Sequence, residues 1–259
     1  MTSQNNKWAH SRRNFVGVMS GMFLSSCKWD VDRGERGSEA ADPSCYVSGT
    51  QLLTPYGYRK IEDLRIGDTL LALGGDLPRI QWIGRSLRRR SAGEMWPGPV
   101  PPVRIQRDAI APGAPDRDLL VSQNHRLCIG GLLILAKDLI NGRSISLDSC
   151  ETVTQLEYLH VKTERHEIIF ADGVLSETLL LSPNSKHAFD NFMEFEQLYG
   201  GVSEPCEAPC MPVHAECGRR SQLLSRFRSA VSPLIDRRTR YEIVQDKLEF
   251  RSLSEGSVA

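Results

Sequence analysis

The sequence predicts an all-β module in the middle of the chain. Between residues 45 and 180, short apolar runs of strand length recur at close spacing, and glycine or proline residues separate them. No long helical periodicity occurs in that stretch. Apolar residues make up 40% and charged residues 25% of the 259 residues, near globular averages. A chain of this size can bury a core without disulfide bridges.

The first predicted element begins at Cys45, directly after a flexible leader. The residues from Cys45 to Leu53 predict a strand that ends at a Thr-Pro-x-Gly turn closed by Gly57. The range 61–68 predicts a short helical turn closed by glycine, and 69–73 predicts the next strand. Further strands are expected at 80–84, 103–107, 119–122, 126–129, 132–135, 156–161 and 167–170.

Composition divides the chain into three predicted segments. Residues 1–44 form a leader or linker, 45–182 form the β module, and 183–259 form an extension of helices and irregular structure. In the extension, aromatic residues at helical spacing over 188–199 predict a helix that packs on the module. Leu223, Phe227 and Val231 form a second stripe of the same kind.

The leader leaves the location of the protein open. Arg12 and Arg13 resemble the start of a twin-arginine export signal, and Cys27 follows residues that resemble a lipoprotein box. The alternative is a cytoplasmic chain in which the arginine pair arose by chance. The apolar patch at 15–24 is far shorter than the roughly 20 residues of a membrane span. Membrane contact is therefore expected only through a lipidated Cys27.

Charge and ligand chemistry exclude several classes of partner. Thirty-two basic and thirty-two acidic residues cancel, which argues against a protein that coats nucleic acid. No cofactor and no metal site are expected. Four candidate metal ligands lie near the C terminus, but their spacing fits no common zinc pattern, and in an exported chain a disulfide among the cysteines is the better interpretation. They are Cys206, Cys210, His214 and Cys217.

Four sequence blocks resemble the hedgehog/intein (Hint) domain, above all its bacterial intein-like branch. The first block, Cys-x-x-x-Gly-Thr-x-Leu-x-Thr-Pro-x-Gly, begins at Cys45 and is followed by Ile-Glu-Asp-Leu-x-x-Gly-Asp. Later blocks fall in the family's order at 119–127, 136–145 and 158–173. The resemblance covers residues 45–182. It implies the Hint fold, a flat, horseshoe-like all-β module of two pseudo-symmetric halves.

The chemistry of Cys45 agrees with this resemblance. A thiolate that opens the module can attack the carbonyl carbon of Ser44, the residue before it, and form a thioester. Attack on the chain's own backbone has a high effective molarity. Because a thioester is less stable than an amide, the step needs a proton donor for the departing nitrogen and donors for the oxyanion.

The resemblance also implies roles for four further residues. His125 is the expected proton donor, and Ser122 lies beside it in the family's Thr/Ser-x-x-His block. His166 and Asp172 lie in the closing block, where family members place residues that assist the second step. The site residues predicted from the sequence are therefore Cys45, His125, Ser122, His166 and Asp172, acting on the bond between Ser44 and Cys45.

The closing block also predicts the outcome of the reaction. Full inteins end with His-Asn, and this pair is missing here, so we expect cleavage or transfer of the N-terminal segment without ligation of two flanks. The substrate is the chain's own leader, and an unidentified external nucleophile resolves the thioester. In such autoprocessing each chain reacts once with itself, and it does not turn over many substrate molecules as an ordinary enzyme does. The alternative is a Hint-fold binding module in which Cys45 is inert.

Overall fold

The structure is a computed structural model that describes residues 44–201, 209–214 and 239–255. The predictions for Arg12, Arg13 and Cys27, and for the stripe at 223–231, lie outside the described residues. The division of the chain into three segments stays a prediction. Among the residues that the structure describes, no helix is long and apolar enough to cross a membrane.

Two six-stranded sheets form the described part of the chain, so the all-β prediction is confirmed. Every strand pair within them is antiparallel. The first sheet contains, in spatial order, β4 (Ile80–Arg89), β10 (Gln155–Thr163), β1 (Tyr46–Val47), β6 (Leu119–Val121), β5 (Val103–Ile105) and β9 (Ile145–Leu147). The second contains β3 (Gly57–Lys60), β2 (Gln51–Thr54), β11 (Ile168–Ala171), β12 (Val174–Glu177), β7 (Arg126–Ile129) and β8 (Leu132–Leu135).

The chain passes from the first sheet to the second at three places. These passages connect β1 to β2, β6 to β7, and β10 to β11. Some short strands alternate buried and less buried side chains, as β6 does with Leu119 and Val121 inside, whereas all four residues of β12 are buried. One apolar cluster contains side chains from both sheets, among them Leu52 and Leu159. The sheets therefore share a core, and the three passages border it.

Most predicted strands are observed. The single strand expected from Cys45 to Leu53 is instead two strands, β1 and β2, which lie in different sheets because a turn closed by the amide of Thr50 and the carbonyl of Val47 separates them. Residues 69–73 form no strand, because successive amides in this stretch bond to different segments: the amide of Leu70 donates to Pro78, that of Leu71 to Leu53 and that of Leu73 to Ile168. Only isolated bridges occur there. The predicted strand at 80–84 continues to residue 89, since β10 pairs with β4 along almost its whole length.

The aromatic stripe in the extension packs on the first sheet, as predicted. Its helix, α1 (Phe192–Tyr199), starts later than the expected residue 188, after a 3-10 helix at Pro183–His187. The Trp82 ring lies edge-on to Phe189 and Phe192, with centroids 5.3 and 5.9 Å apart. Such pairs add to the free energy gained by burying the rings.

A second helix, α2 (Arg240–Glu255), was not predicted from the sequence. Its residues are mostly polar, and two of its apolar side chains, Val244 and Leu248, are buried in the shared core. The hydroxyl of Tyr241 donates to the carbonyl of Asp138 at 3.1 Å. A face of so few apolar residues gives a weak periodic signal, which is why sequence patterning missed this helix.

The turn between β11 and β12 is held by Asp172, one of the predicted site residues. Asp172 has φ +43°, a left-handed conformation that Asp and Asn tolerate better than most residues. Its carboxylate accepts the amide proton of Gln51 at 3.2 Å and lies 3.4 Å from Nε of Arg117. Burial raises the pKa of Asp172 to about 7, although both of these contacts act to lower it.

We expect Gly84→Ala to destabilise the fold. A Cβ atom built at Gly84 would lie 2.5 Å from the Phe189 ring and 2.9 Å from Trp82, so the aromatic stripe has to move. Overpacking of this kind lowers the free energy of unfolding by about 1–3 kcal/mol, measurable by denaturant titration. Gly98→Ala is the matched control, because a Cβ at Gly98 meets nothing within 4 Å. Equal stability of the two variants would contradict the packing described.

We expect Asp172→Asn to change how stability depends on pH. Because the folded-state pKa of Asp172 is raised to about 7, the folded protein binds more protons than the unfolded chain between pH 4 and 7. This group therefore costs stability as the pH rises through that window. The free energy of unfolding of Asp172→Asn relative to wild type should rise by at least about 1 kcal/mol from pH 4 to 7. The control is Asp76→Asn, which changes an exposed aspartate that is not among the charges acting on Asp172; an equal rise in both variants would contradict this account.

Candidate functional site

The bond between Ser44 and Cys45 lies next to the start of β1, a central strand of the first sheet. Cys45 immediately precedes β1, which lies between β10 and β6. Its amide proton is donated to Oγ of Ser122 at 2.8 Å, and the amide of Ser122 donates to the carbonyl oxygen of Cys45 at 2.8 Å. The Cys45 side chain is fully buried in an apolar cluster with Trp82 and Tyr158. Two reciprocal hydrogen bonds therefore fix the nitrogen of the predicted cleavage site.

The Ser-x-x-His block is a tight turn at one passage between the sheets. Its first and last residues, Ser122 and His125, are joined by a hydrogen bond from the amide of His125 to the carbonyl of Ser122 at 3.0 Å. The carbonyl of His125 accepts from the amide of Ala136 at 2.8 Å, which ties the turn to the chain after β8. The spacing of three residues thus places both side chains beside the Ser44–Cys45 bond.

His125 is fully buried and bridges two serine hydroxyls. Its Nδ1 lies 3.2 Å from Oγ of Ser44, and its Nε2 lies 2.7 Å from Oγ of Ser176. Because Ser44 gives its one hydroxyl proton to Glu177, Oγ of Ser44 can only accept from the ring, so the imidazole proton lies on Nδ1. Burial, reinforced by the neighbouring His160, lowers the pKa of His125 well below its ordinary value. The ring is therefore neutral in the uncleaved chain.

Glu177 is the charged centre of the site, and sequence analysis did not predict it. Its Oε1 accepts from the hydroxyl of Ser44 at 2.9 Å and lies 3.5 Å from Nη1 of Arg126, while its Oε2 lies 3.2 Å from Nε2 of His166. Burial acts to raise the pKa of Glu177, but the hydrogen bond from His166 and the charge of Arg126 outweigh it and lower the pKa to about 2. A buried carboxylate is thus kept ionised next to the predicted cleavage site.

His166 joins the site through Glu177. The backbone amide of Cys210 donates to Nδ1 of His166 at 3.0 Å, so the ring proton lies on Nε2, where it is donated to the carboxylate. Segment 209–214 is held against β8 as well, since the amide of Leu133 donates to Pro212 at 2.8 Å. Residues from the C-terminal extension therefore fix the orientation of a predicted site residue.

A third histidine, His160, completes the buried set. Its Nε2 donates to the backbone carbonyl of Glu177 at 3.2 Å, and its ring centroid lies 4.9 Å from that of His125. The backbone of Ser44 also lies within hydrogen-bonding reach of this ring. Burial lowers the pKa of His160 to about 4, so this ring is neutral as well.

Two more residues that the sequence did not single out connect these groups. Oγ of Ser176 lies 2.5 Å from the hydroxyl of Tyr46, which also donates to the carbonyl of Glu177 at 3.1 Å. Ser176 and Glu177 both lie in β12, all four of whose residues are buried. Two polar residues at the end of a buried strand are a signal that sequence reading could have used, because buried polar side chains need partners.

The structure brings most of the predicted site residues together. Cys45, Ser122 and His125 surround the Ser44–Cys45 bond, and His166 reaches Ser44 through Glu177. Asp172 lies apart from them, at the β11–β12 turn with Gln51 and Arg117. The geometry does not test the role of any of these residues in a reaction, so those roles stay predictions.

The described residues contain no group of three or more side chains suited to hold a metal ion. Cys206 and Cys217 lie outside the described ranges. Cys210 is exposed, and the ring of His214 stacks on Tyr241 with centroids 3.6 Å apart.

The chain is similar to several solved structures, each at low sequence identity. No curated protein sequence matches the chain. Among solved structures, the gp41-1 intein is similar at 14% identity and a TM-score of 0.35, covering 51% of this chain and 97% of its own. The MchDnaB-1 intein is similar at 16% identity and a TM-score of 0.35, covering 51% and 99%. A bacterial intein-like domain from Clostridium thermocellum is similar at 15% identity and a TM-score of 0.36, covering 52% and 98%.

The family assignment rests on the sequence itself. The sequence profile of the Hint domain matches residues 44–183, more than half of the chain. This range begins at Ser44 and contains all twelve strands of the two antiparallel sheets. The chain therefore belongs to the Hint domain family, and its fold is the all-β Hint fold that the sequence predicts.

Proposed function

We propose that this chain cleaves itself at the Ser44–Cys45 bond through a thioester on Cys45. Membership of the Hint family supports a self-processing domain in general. The observation that carries the specific proposal is the reciprocal pair of hydrogen bonds between Cys45 and Ser122. It holds the nitrogen of the scissile bond in a buried site that also contains His125.

The first step exchanges an amide for a thioester. The Cys45 thiol gives up the proton that the Cys45 nitrogen takes up in the next step, and its sulfur attacks the carbonyl carbon of Ser44 to form a tetrahedral oxyanion. The C–N bond then breaks, the nitrogen of Cys45 takes up a proton and becomes an amine, and the Ser44 carbonyl remains bound to sulfur. Because nucleophile and carbonyl belong to adjacent residues, no translational entropy is lost.

Ser122 and His125 are the groups that we expect to act on the departing nitrogen. Oγ of Ser122 accepts the amide proton of Cys45 in the uncleaved chain, and rotation of its hydroxyl turns this acceptor into a donor for the new lone pair. The Nδ1 proton of His125 points to Oγ of Ser44, one residue from that nitrogen. A small change of partner lets this N–H donate a hydrogen bond to the new amine while the ring stays neutral, and catalytic hydrogen bonds often tighten only during the reaction.

The second step releases the leader. A water molecule attacks the thioester carbonyl, the C–S bond breaks, and the thiolate of Cys45 takes up a proton while Ser44 becomes a carboxylate. An external amine, thiol or alcohol reacts at the same carbon and is transferred to Ser44 instead. Since the closing strand ends in Ser176 and Glu177 and is followed by Thr178 rather than by His-Asn, we infer cleavage without splicing.

Cys45→Ala should abolish cleavage, because it removes the nucleophile. In the wild type, dithiothreitol should accelerate the appearance of a fragment that begins at Cys45, because thiols open thioesters. Intact-mass spectrometry of the purified chain measures both effects. The control Cys150→Ala, which changes a cysteine outside the site, should cleave like the wild type. A wild-type chain that stays whole under every condition would instead favour the inert binding module.

Ser122→Ala should slow cleavage about a hundredfold, the usual scale for losing one group that handles a proton or a developing charge. The rate of fragment formation in dithiothreitol, followed by intact mass, gives the measurement. Ser86→Ala is the matched control: Ser86 is fully buried, and its hydroxyl has no hydrogen-bond partner among the described residues. Equal rates for the two variants would remove Ser122 from the mechanism.

A further inference from the structure

We propose that Glu177 determines which residue can stand before the cleaved bond, by accepting a hydrogen bond from a hydroxyl side chain at position 44. This inference rests on the proposed self-cleavage and adds a substrate preference to it. Leaders that end in serine or threonine are the expected substrates, and leaders that end in an apolar or acidic residue are poor ones.

The contacts of Ser44 support this preference. Its hydroxyl donates to Oε1 of Glu177 at 2.9 Å and accepts from Nδ1 of His125 at 3.2 Å. The side chain of Glu177 is 2% exposed and His125 is fully buried. One hydroxyl group therefore satisfies an ionised acceptor and a neutral donor that water reaches poorly.

Burial makes the loss of that hydroxyl costly. An apolar side chain at position 44 leaves the carboxylate of Glu177 one donor short and the Nδ1 proton of His125 without an acceptor. A buried polar group without a hydrogen-bond partner destabilises the protein by more free energy than an exposed hydrogen bond contributes to stability. The effect is largest when the unpaired group is charged. An acidic side chain adds a second negative charge beside Glu177, which is worse.

The carboxylate is held in place without help from Ser44. Nε2 of His166 donates to its Oε2 at 3.2 Å, and the backbone amide and Nη1 of Arg126 lie 3.3 and 3.5 Å from its Oε1. The amide of Cys210 in turn fixes the His166 ring. Oε1 is thus preorganised toward the position of residue 44 whichever side chain stands there, which is what selection between side chains requires.

The test compares two substitutions of the same shape. Ser44→Thr keeps the hydroxyl, and Ser44→Val replaces it with a methyl group of similar size. Cleavage in dithiothreitol, followed by intact mass in the full chain, should be at least about tenfold faster for Ser44→Thr than for Ser44→Val, the factor that a hydrogen bond to a charged group implies. In Glu177→Gln the ratio should shrink toward one, while Glu157→Gln, which changes a partly exposed glutamate of β10, should keep it.

A second measurement does not depend on cleavage. In the uncleavable Cys45→Ala chain, the pKa of Glu177 is read from its carboxyl carbon by NMR titration. Ser44→Ala should raise this pKa, since it removes a donor to the carboxylate. The same titration serves if Glu177→Gln fails to fold, because it leaves Glu177 intact.

The outcomes separate the two proposals. Equal cleavage of Ser44→Thr and Ser44→Val overturns the preference and leaves self-cleavage standing. Absence of cleavage in the wild type overturns the proposed function. It also overturns the preference at position 44, because that preference concerns cleavage. An unchanged pKa of Glu177 in Ser44→Ala shows that the carboxylate does not sense the hydroxyl, and overturns the inference in either case.

Discussion

The carboxylate of Glu177 is a buried charge, and the arrangement around the predicted cleavage site depends on keeping it paired. An ionised carboxyl group in the interior is stable only if donors and positive charge surround it. Here the donors come from three separate parts of the chain: Ser44 before the first strand, Arg126 after the Ser122–His125 turn, and His166 before β11. The amide of Cys210, from a fourth part, holds the His166 ring. The carboxylate of Glu177 thus links residues from the start, the middle and the end of the domain.

Antiparallel topology explains how such distant residues meet. The chain passes from the first sheet to the second after β1, after β6 and after β10. Ser122, His125 and His166 lie at two of these passages, and Cys45 lies directly before β1. Side chains at a crossing belong to neither sheet face, so they are free to converge on one point at the edge of the core. Tyr46 and Ser176 then connect the crossings through hydroxyl contacts inside the core.

The sequence predicted the local parts of this arrangement well and the long-range parts poorly. Strands such as β6 and β7 follow from short apolar runs, and the turn between Ser122 and His125 follows from a motif four residues long. Glu177 carries no such pattern, because its importance comes from partners 11, 51 and 133 positions away along the chain. Asp172 shows the reverse: a recognisable block placed it near the site in sequence, while its hydrogen bonds hold a turn.

The predicted cleavage site also lies in a particular place relative to the fold. All twelve described strands begin at Tyr46 or later, so the Ser44–Cys45 bond precedes every strand pairing. Cleavage of this bond therefore removes no strand–strand hydrogen bond from either sheet and exposes no new edge strand. The new amino terminus would appear inside a finished protein, with its nitrogen already bonded to Ser122 and its side chain packed beside Trp82. After cleavage, the domain that begins at Cys45 would therefore be expected to stay folded once the leader has been released.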